Sequence, residues 1–342
     1  MLARTLRWLG IAALAACGIG SAAGCTADAD DIGSADDDYT RRGKIQLLVT
    51  VDWEGRDLRD DNIAAMKDLH AKFPQVKVVH FLNAAYFTKS DSDAAAAKAE
   101  IASAIAPGDE KALHIHGWKR LFEASGVSFI SGPTFWGTTL KPNECFYDCG
   151  HEVPLSNYSV EDLRKVVRFS LDTLESQGFG RAKSFRCGGW MAKENVREAI
   201  AAEGLTYEES AVPADFLAPK LRQYPIQGWL SELWAGTTQT SQPHRIATPA
   251  GELVEVPDNG ALADYVTADQ MVATYEANKA EWQRNNRTKN VVVSIGFHQE
   301  TAAMYVPQLE AALQRIYDDA QRSRVPLESI TTGELAPPAP IR

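Results

Sequence analysis

The chain has 342 residues and a formal net charge of −10, with 45% hydrophobic and 23% charged residues. This composition is typical of a soluble globular protein with a sizeable core. The acidic balance argues against nucleic acid as a partner. After residue 25 no run of 18 or more apolar residues occurs, so the pattern predicts no membrane-spanning helix there.

The first 25 residues are predicted to be an export signal. MLARTLRW carries Arg4 and Arg7 and no acid, and an apolar stretch rich in Ala and Gly follows it. LAAC at 14–17 resembles the lipobox of bacterial lipoproteins, which would make Cys17 the lipidated residue. AAGC ending at Cys25, or cleavage without a lipid, are the alternatives. We therefore expect an exported monomer of the bacterial cell envelope that meets the membrane only through a lipid anchor.

Residues 26–43 are predicted to be a disordered acidic tether. TADADDIGSADDD holds six Asp, no aromatic residue and little that could be buried. A single folded domain is predicted over 44–335, followed by a tail at 336–342.

Within that domain, short apolar runs alternate with amphipathic stretches. Strands are predicted over 44–53, 76–83, 111–116, 183–189, 205–210, 290–298 and 325–331. Helices are predicted over 61–73, 92–106, 160–178, 194–204, 268–285 and 305–323. HRIATPAGELVEV is predicted to be a hairpin, and 119–158 and 211–260 to be long loops. The alternation predicts an α/β fold with a parallel sheet, and a barrel of about seven strands fits the count.

Pairs of polar residues lie at the carboxyl ends of two of these strands. The third predicted strand ends with His114 and His116, and the first ends with Asp52 and Glu54. Side chains at i and i+2 of a strand share a face, so each pair is expected to point one way. The carboxyl ends of parallel strands form one face of a barrel, where active sites lie.

Two further strands end in a charged or titratable group, Arg186 and His298. Two imidazoles with one or two carboxylates suit a divalent metal, zinc above all, and a metal-bound water favours hydrolysis. Arg186 is then expected to orient a carboxylate base and His298 to protonate a leaving group. His80 is interpreted as a core histidine. His70, His151 and His244 receive no role.

Other residues carry weaker signals. Trp118 and Trp190 are candidates for stacking on sugars, with ordinary packing as the alternative. Cys145 and Cys149 in CFYDC are close enough for a disulfide, which export favours. A CxxxC zinc half-site is the other interpretation, although the sequence offers no second half.

Several segments resemble the motifs of the polysaccharide deacetylase family, carbohydrate esterase family 4, whose barrel is the NodB-homology domain. These segments are TVDWEG (50–55), LHIHGW (113–118), FRCGGW (185–190), LTYEESAVP (205–213), GELVEVP (251–257) and SIGFH (294–298). The resemblance runs from about residue 44 to residue 335. It implies a distorted (β/α)7 barrel, a divalent metal, and removal of acetyl groups from a glycan.

The resemblance also implies residue roles. Asp52 stands at the catalytic base, and His298 at the general acid. Glu54 maps less directly to the carboxylate ligand, a role for which Asp52 is the alternative. The second motif usually has histidines at i and i+4, and here Trp118 occupies i+4 after His114. His116 is the nearby replacement. H-x-H and D-x-E place the chain in a divergent branch.

Two other functions remain open from the sequence. H-x-H also marks another class of metal-dependent amidohydrolases, although there it lies on the first barrel strand. A non-catalytic envelope lipoprotein, whether it binds glycan or is structural, could keep the same barrel without activity.

Overall fold

The structure, a computed structural model, describes residues 43–90, 92–141, 143, 145 and 147–338. The predicted export signal, with Cys17 and Cys25, and residues 26–42 of the predicted tether lie outside these residues. No helix within them is long and apolar enough to cross a membrane.

One sheet organises the described residues. Its strands are β1 (Ile45–Asp52), β2 (Val78–Asn83), β3 (Glu110–Ile115), β4 (Ser184–Cys187), β5 (Tyr207–Glu208), β6 (His244–Thr248), β7 (Gly251–Glu255), β8 (Val291–His298) and β9 (Leu327–Ser329). Their order is β6-β7-β5-β4-β3-β2-β1-β8, and β9 pairs with β1. Every pairing is parallel except that of the β6–β7 hairpin. The run from β7 to β8 holds seven parallel strands, which confirms the predicted α/β fold of the distorted (β/α)7 type.

Helices connect the strands. They are α1 (Asp60–Lys72), α2 (Ala94–Ala104), α3 (Lys119–Ala124), α4 (Val160–Ser176), α5 (Glu194–Ala202), α6 (Ala214–Leu221), α7 (Pro225–Leu233), α8 (Ala268–Arg284) and α9 (Ala302–Ser323). The predicted helices agree with α1, α2, α4, α5, α8 and α9 to within a few residues at each end. The sequence pattern missed α3, α6 and α7 because they are six to nine residues long and lie in segments rich in Gly, Pro and aromatic residues.

An irregular segment, 258–263, joins the two ends of the parallel run. The amide of Gly260 donates to the carbonyl of Ser294, and that of Ala263 donates to Gly296, both on β8. At its other end, the backbone amide of Asp258 donates to the carbonyl of Ala211, just beyond β5. Irregular chain with a single bridge, Leu262 to Gly296, therefore takes the place of a strand between these ends.

The central strand β1 is buried along its whole length because the barrel interior covers one face and helices cover the other. Its outward residues, such as Leu47 and Val51, pack in the large core beneath the helices. Leu48 belongs to a second, smaller cluster. Thr50 and Asp52 share the parity of Leu48, so the strand carries Asp52 to the carboxyl end of the inward face.

Candidate active site

The register of the sheet brings the four polar strand ends together. Asp52 pairs with His298 across β1 and β8, and His114 pairs with Arg186 across β3 and β4. His116 follows the end of β3, and its ring lies 4.9 Å from that of His114. All these residues lie at the carboxyl ends of parallel strands, where the barrel geometry predicts a site.

Glu54 is the centre of the cluster. Its carboxylate lies 3.3 Å from Nε2 of His114, 2.8 Å from Nε2 of His116 and 3.5 Å from Nε2 of His298. A fourth imidazole, that of His151, also contacts it through Nε2. Burial alone would raise the pKa of Glu54, but the charge of His116 and hydrogen bonds from three of the imidazoles hold that pKa well below its usual value.

The backbone of Glu54 is held as firmly as its side chain. The indole N–H of Trp118 donates to its carbonyl oxygen at 2.7 Å, and the side-chain amide of Asn83 donates to the same oxygen at 3.2 Å. Its own N–H donates to the carboxylate of Glu300 at 3.1 Å. These bonds fix the backbone from which the carboxylate extends.

Two of the imidazoles have a defined tautomer. Nδ1 of His114 lies 2.8 Å from the carbonyl oxygen of Arg186, and Nδ1 of His116 lies 2.7 Å from that of His151. A carbonyl oxygen only accepts, so each Nδ1 carries a proton, and in its neutral form each ring would have its lone pair on Nε2. Both Nε2 atoms face the carboxylate of Glu54, at 3.3 and 2.8 Å, where a proton on the nitrogen makes a hydrogen bond and a lone pair makes none. Such an array of facing acceptors needs a cation or additional protons, and therefore fits a divalent metal.

Two groups of three possible ligand atoms meet in this cluster. One atom each of Glu54, His116 and His151 lie within 4.8 Å of one another, and so do atoms of Asp52, Glu54 and His298. His114 approaches the other oxygen of the Glu54 carboxylate. The structure thus brings together the sequence-predicted ligands Glu54, His114 and His116 and adds His151.

Arg186 lies inside the barrel with its side chain fully buried. Nη1 donates to Asp52 at 2.8 Å and to the hydroxyl of Thr50 at 3.0 Å, and Nε donates to the carbonyl of Glu209 at 2.9 Å. Nη2 lies 3.8 Å from the carboxylate of Asp258. The guanidinium therefore fixes one oxygen of Asp52, as expected for a base-orienting group.

His298 has an acidic partner that sequence reasoning missed. Its Nδ1 lies 3.0 Å from Oδ2 of Asp264, and the hydroxyl of Thr301 donates to Oδ1 of the same carboxylate. Burial would lower the pKa of His298, but the charge and hydrogen bond of Asp264, with the charges of Glu54 and Asp52, raise it to about 10. The ring is thus a charged donor at neutral pH. Asp264 lies 34 residues before His298, in irregular chain, so no local pattern marked it.

A narrow cavity of about 80 Å³ opens onto this cluster. Its lining combines Asp52, Glu54, His116, His151 and His298 with Phe135, Trp136, Gly189, Trp190, Leu221, Ile226 and Tyr265. Of the two tryptophans predicted to bind substrate, Trp190 lines the cavity and donates to Asp258 through its indole N–H. Trp118 is buried beneath Glu54 and is not among the lining residues.

The predicted cysteine pair lies in the same region. Cys145 and Cys149 form a disulfide with their Cα atoms 5.5 Å apart, and Cys187 is a buried free thiol. The disulfide lies two residues before His151, within the long loop between α3 and α4.

A second cluster of titratable residues has a different character. His70 and His80 both place Nε2 near Oδ2 of Asp109, at 3.1 and 3.0 Å. The indole N–H of Trp53 donates to Nδ1 of His80 at 3.3 Å, so Nε2 of His80 carries its proton and donates to Asp109. His80 is thus a hydrogen-bonded core histidine, as interpreted from the sequence.

No family model matches the chain, and no curated protein matches it. Similar solved structures include a candidate polysaccharide deacetylase from Mycobacterium smegmatis, with a TM-score of 0.48, 13% identity, and coverage of 88% of this chain and 95% of that one. A family 4 carbohydrate esterase from Streptomyces lividans in complex with acetate has a TM-score of 0.41, 12% identity and coverage of 87% and 98%. A family 4 acetyl xylan esterase from Clostridium thermocellum in complex with cobalt has a TM-score of 0.40 and 14% identity. The match covers 84% of this chain and 89% of that one. At these values the likeness transfers no residue role and no substrate.

Proposed function

We propose that the chain is a metal-dependent hydrolase that removes acetyl groups from a polysaccharide or related glycan. The observation that carries the proposal is the pairing of a base and an acid around one set of ligand atoms. Asp52 and His298 face the Glu54 carboxylate from neighbouring strands, and each is held by its own charged partner, Arg186 or Asp264.

Glu54, His114 and His116 are the residues that would hold the metal. Their donor set of two imidazole nitrogens and a carboxylate suits zinc or a similar divalent ion. A bound divalent ion supplies Lewis acidity for a carbonyl oxygen and lowers the pKa of water.

The protein groups supply the proton transfers. Asp52, oriented by Arg186, accepts a proton from the water that attacks the acetyl carbonyl carbon. The bond between that carbon and the glycan nitrogen or oxygen then breaks. His298, charged through its pairing with Asp264, donates the proton that the departing amine or alcohol needs. The products are acetate and the free glycan group.

The cavity supports a small acyl group. Its volume of about 80 Å³ is several times the roughly 10–15 Å³ that one water requires. Trp190, Leu221 and Ile226 provide an apolar wall for a methyl group. Trp136 lines the mouth with 40% of its surface exposed, and Tyr224 packs edge-on against it at 4.7 Å. These two rings are better placed than Trp118 to contact a sugar outside the cavity.

The export signal and lipobox-like Cys17 support an envelope location, with the enzyme tethered near peptidoglycan or extracellular glycan. Incubation with tritiated palmitate tests the anchor, with Cys17→Ser and Cys25→Ser as variants. Wild-type protein that takes up no label, or a double variant Cys17→Ser with Cys25→Ser that keeps the label, would contradict lipidation at these sites.

Acetate release from a panel of N- and O-acetylated glycans tests the activity. We expect release by the metal-loaded protein, loss after chelation, and return on adding zinc. Asp52→Asn should abolish release, whereas Asp172→Asn on the outer face of α4 should match the wild type. A metal-free protein that gains no activity or glycan affinity with zinc would instead favour the non-catalytic lipoprotein.

A further inference from the structure

The chain segment 147–153 lies directly against the end of β3. The amide of Lys119 donates to the carbonyl of Cys149 at 2.7 Å, and that of Arg120 donates to the carboxylate of Asp148 at 3.1 Å. Gly150, at a φ of +100°, brings its backbone so close that a Cβ there would lie 2.3 Å from the carbonyl oxygen of Gly117. The segment is therefore docked on the strand end that carries His114 and His116.

This docking places the imidazole of His151 inside the site. Its Nε2 contacts the carboxylate of Glu54, and its ring stacks on that of His116 at 4.0 Å with an interplanar angle of 7°. The side chain is 19% exposed and lines the cavity. A ring nitrogen of His151 belongs to the group of three possible ligand atoms, with Glu54 and His116, that lie within 4.8 Å of one another.

The backbone of His151 has a separate effect. Its carbonyl oxygen accepts the hydrogen bond from Nδ1 of His116 and so directs Nε2 of that ring toward Glu54. Orientation of this kind is what ligating histidines require from their surroundings. One residue of the docked segment thus presents an imidazole and also orients a second one.

The site also lacks an imidazole where the resemblance would place it. Trp118 stands at that position, and its indole N–H donates to the Glu54 carbonyl. We infer that His151 is a metal ligand of this site, delivered by the segment that follows the Cys145–Cys149 disulfide. It completes a nitrogen-rich donor set for a borderline divalent cation such as Zn²⁺ or Co²⁺. This inference rests on the proposed metal site but not on any particular substrate.

Zinc content and Co²⁺ absorption of the purified protein test the assignment without using activity. His151→Ala removes the imidazole but keeps the carbonyl that orients His116. We expect its Kd for zinc to rise by about 100-fold or more, beyond the usual effect of losing an outer hydrogen-bond partner. The intensity of the Co²⁺ d–d bands should also change, because the coordination number changes.

His151→Gln serves as a second variant if His151→Ala does not fold, with thermal unfolding as the check. His244→Ala, in the exposed strand β6, is the matched control and should bind both metals as the wild type does. The alternative role of His151 is that of a hydrogen-bond donor to Glu54. Nη2 of Arg56 lies 3.5 Å from Nδ1 of His151, and if Arg56 donates there, the ring proton is on Nε2, which faces Glu54. An unchanged zinc Kd and Co²⁺ spectrum in both His151 variants would overturn the assignment and leave His151 as a hydrogen-bond donor to Glu54.

The outcomes also separate this inference from the proposed function. A protein that binds zinc through His151 but releases no acetate from any glycan refutes deacetylation and keeps the ligand assignment. Wild-type protein that binds neither metal refutes both.

Discussion

Gly188, which follows β4, is the residue whose replacement tests the position of His116 most directly. A Cβ at Gly188 would lie 2.7 Å from Cγ and Nδ1 of His116 and 2.8 Å from Cδ2. The ring cannot retreat easily, because it stacks on His151 and its Nδ1 bonds to the backbone there. Gly188→Ala should therefore displace an imidazole without altering any ligand.

The size of the effect follows from the distances. Contact at 2.7 Å is about 0.7 Å short of the 3.4 Å at which ordinary contact begins. Ligand distances in a metal site hold to about ±0.2 Å, so a shift of that size takes His116 out of position. We expect the Kd for zinc to rise about 10- to 100-fold. Overpacking should also cost about 1–3 kcal/mol in the free energy of unfolding.

Competition with a chromophoric zinc chelator measures the Kd, and urea unfolding of the metal-free protein measures stability. Gly228→Ala in α7 is the matched control, because no heavy atom lies within 4 Å of its added Cβ. That variant should keep zinc affinity and gain about 0.5–1 kcal/mol from helix propensity. If Gly188→Ala binds zinc and releases acetate like the wild type, the placement of His116 beside the metal is wrong.

Three further predictions concern charged partners. Arg186→Met leaves the buried carboxylates of Asp52 and Asp258 without their cation. Urea unfolding should show that the free energy of unfolding falls by about 3–5 kcal/mol, and acetate release should also fall. A variant as stable as the wild type would contradict the buried pairing. Asp264→Asn removes one of the anions that keep His298 charged, so kcat should fall by up to about 10²–10⁴ with zinc content unchanged. An unaltered kcat would show that His298 does not depend on Asp264. Asp109 is buried, which would raise its pKa, but hydrogen bonds from His70 and His80 lower it below the usual value. Its stabilisation is therefore present above about pH 4 and lost as pH falls. Asp109→Asn should reduce the free energy of unfolding at pH 7 by about 1–3 kcal/mol and should weaken the loss of stability at acid pH. A variant whose stability falls as steeply with decreasing pH as that of the wild type would contradict this role of Asp109.

Much of the fold follows from local pattern. The apolar runs at β1 and β8 and the amphipathic repeat of α4, capped by Ser159, identify their elements without tertiary information. The sequence pattern did not predict the short helices because tertiary packing stabilises them more than helix propensity does. α7, for example, begins with Pro225 and buries Ile226 and Leu230, but nine residues are too few for a clear period.

Part of the site follows from strand parity. A period of two places His114 with His116, and Asp52 with Glu54, on shared faces, and the parallel sheet gathers the strand ends. The period of two says nothing about the position of residues outside strands. His151 and Asp264 lie in irregular chain whose path depends on long-range contacts, such as those of Cys149 with Lys119 and of Asp264 with Thr301.

The sequence by itself therefore determined the α/β architecture and the part of the site that lies on strands. The side-chain periods of strands and helices repeat within a few residues, so they can be seen in the local sequence. Only the tertiary structure decided which loop groups complete the site. It turned Trp118 inward onto Glu54, brought His151 against His116 and paired His298 with Asp264. Each of these contacts joins residues more than thirty positions apart, and burial and charge select them only after the barrel has closed.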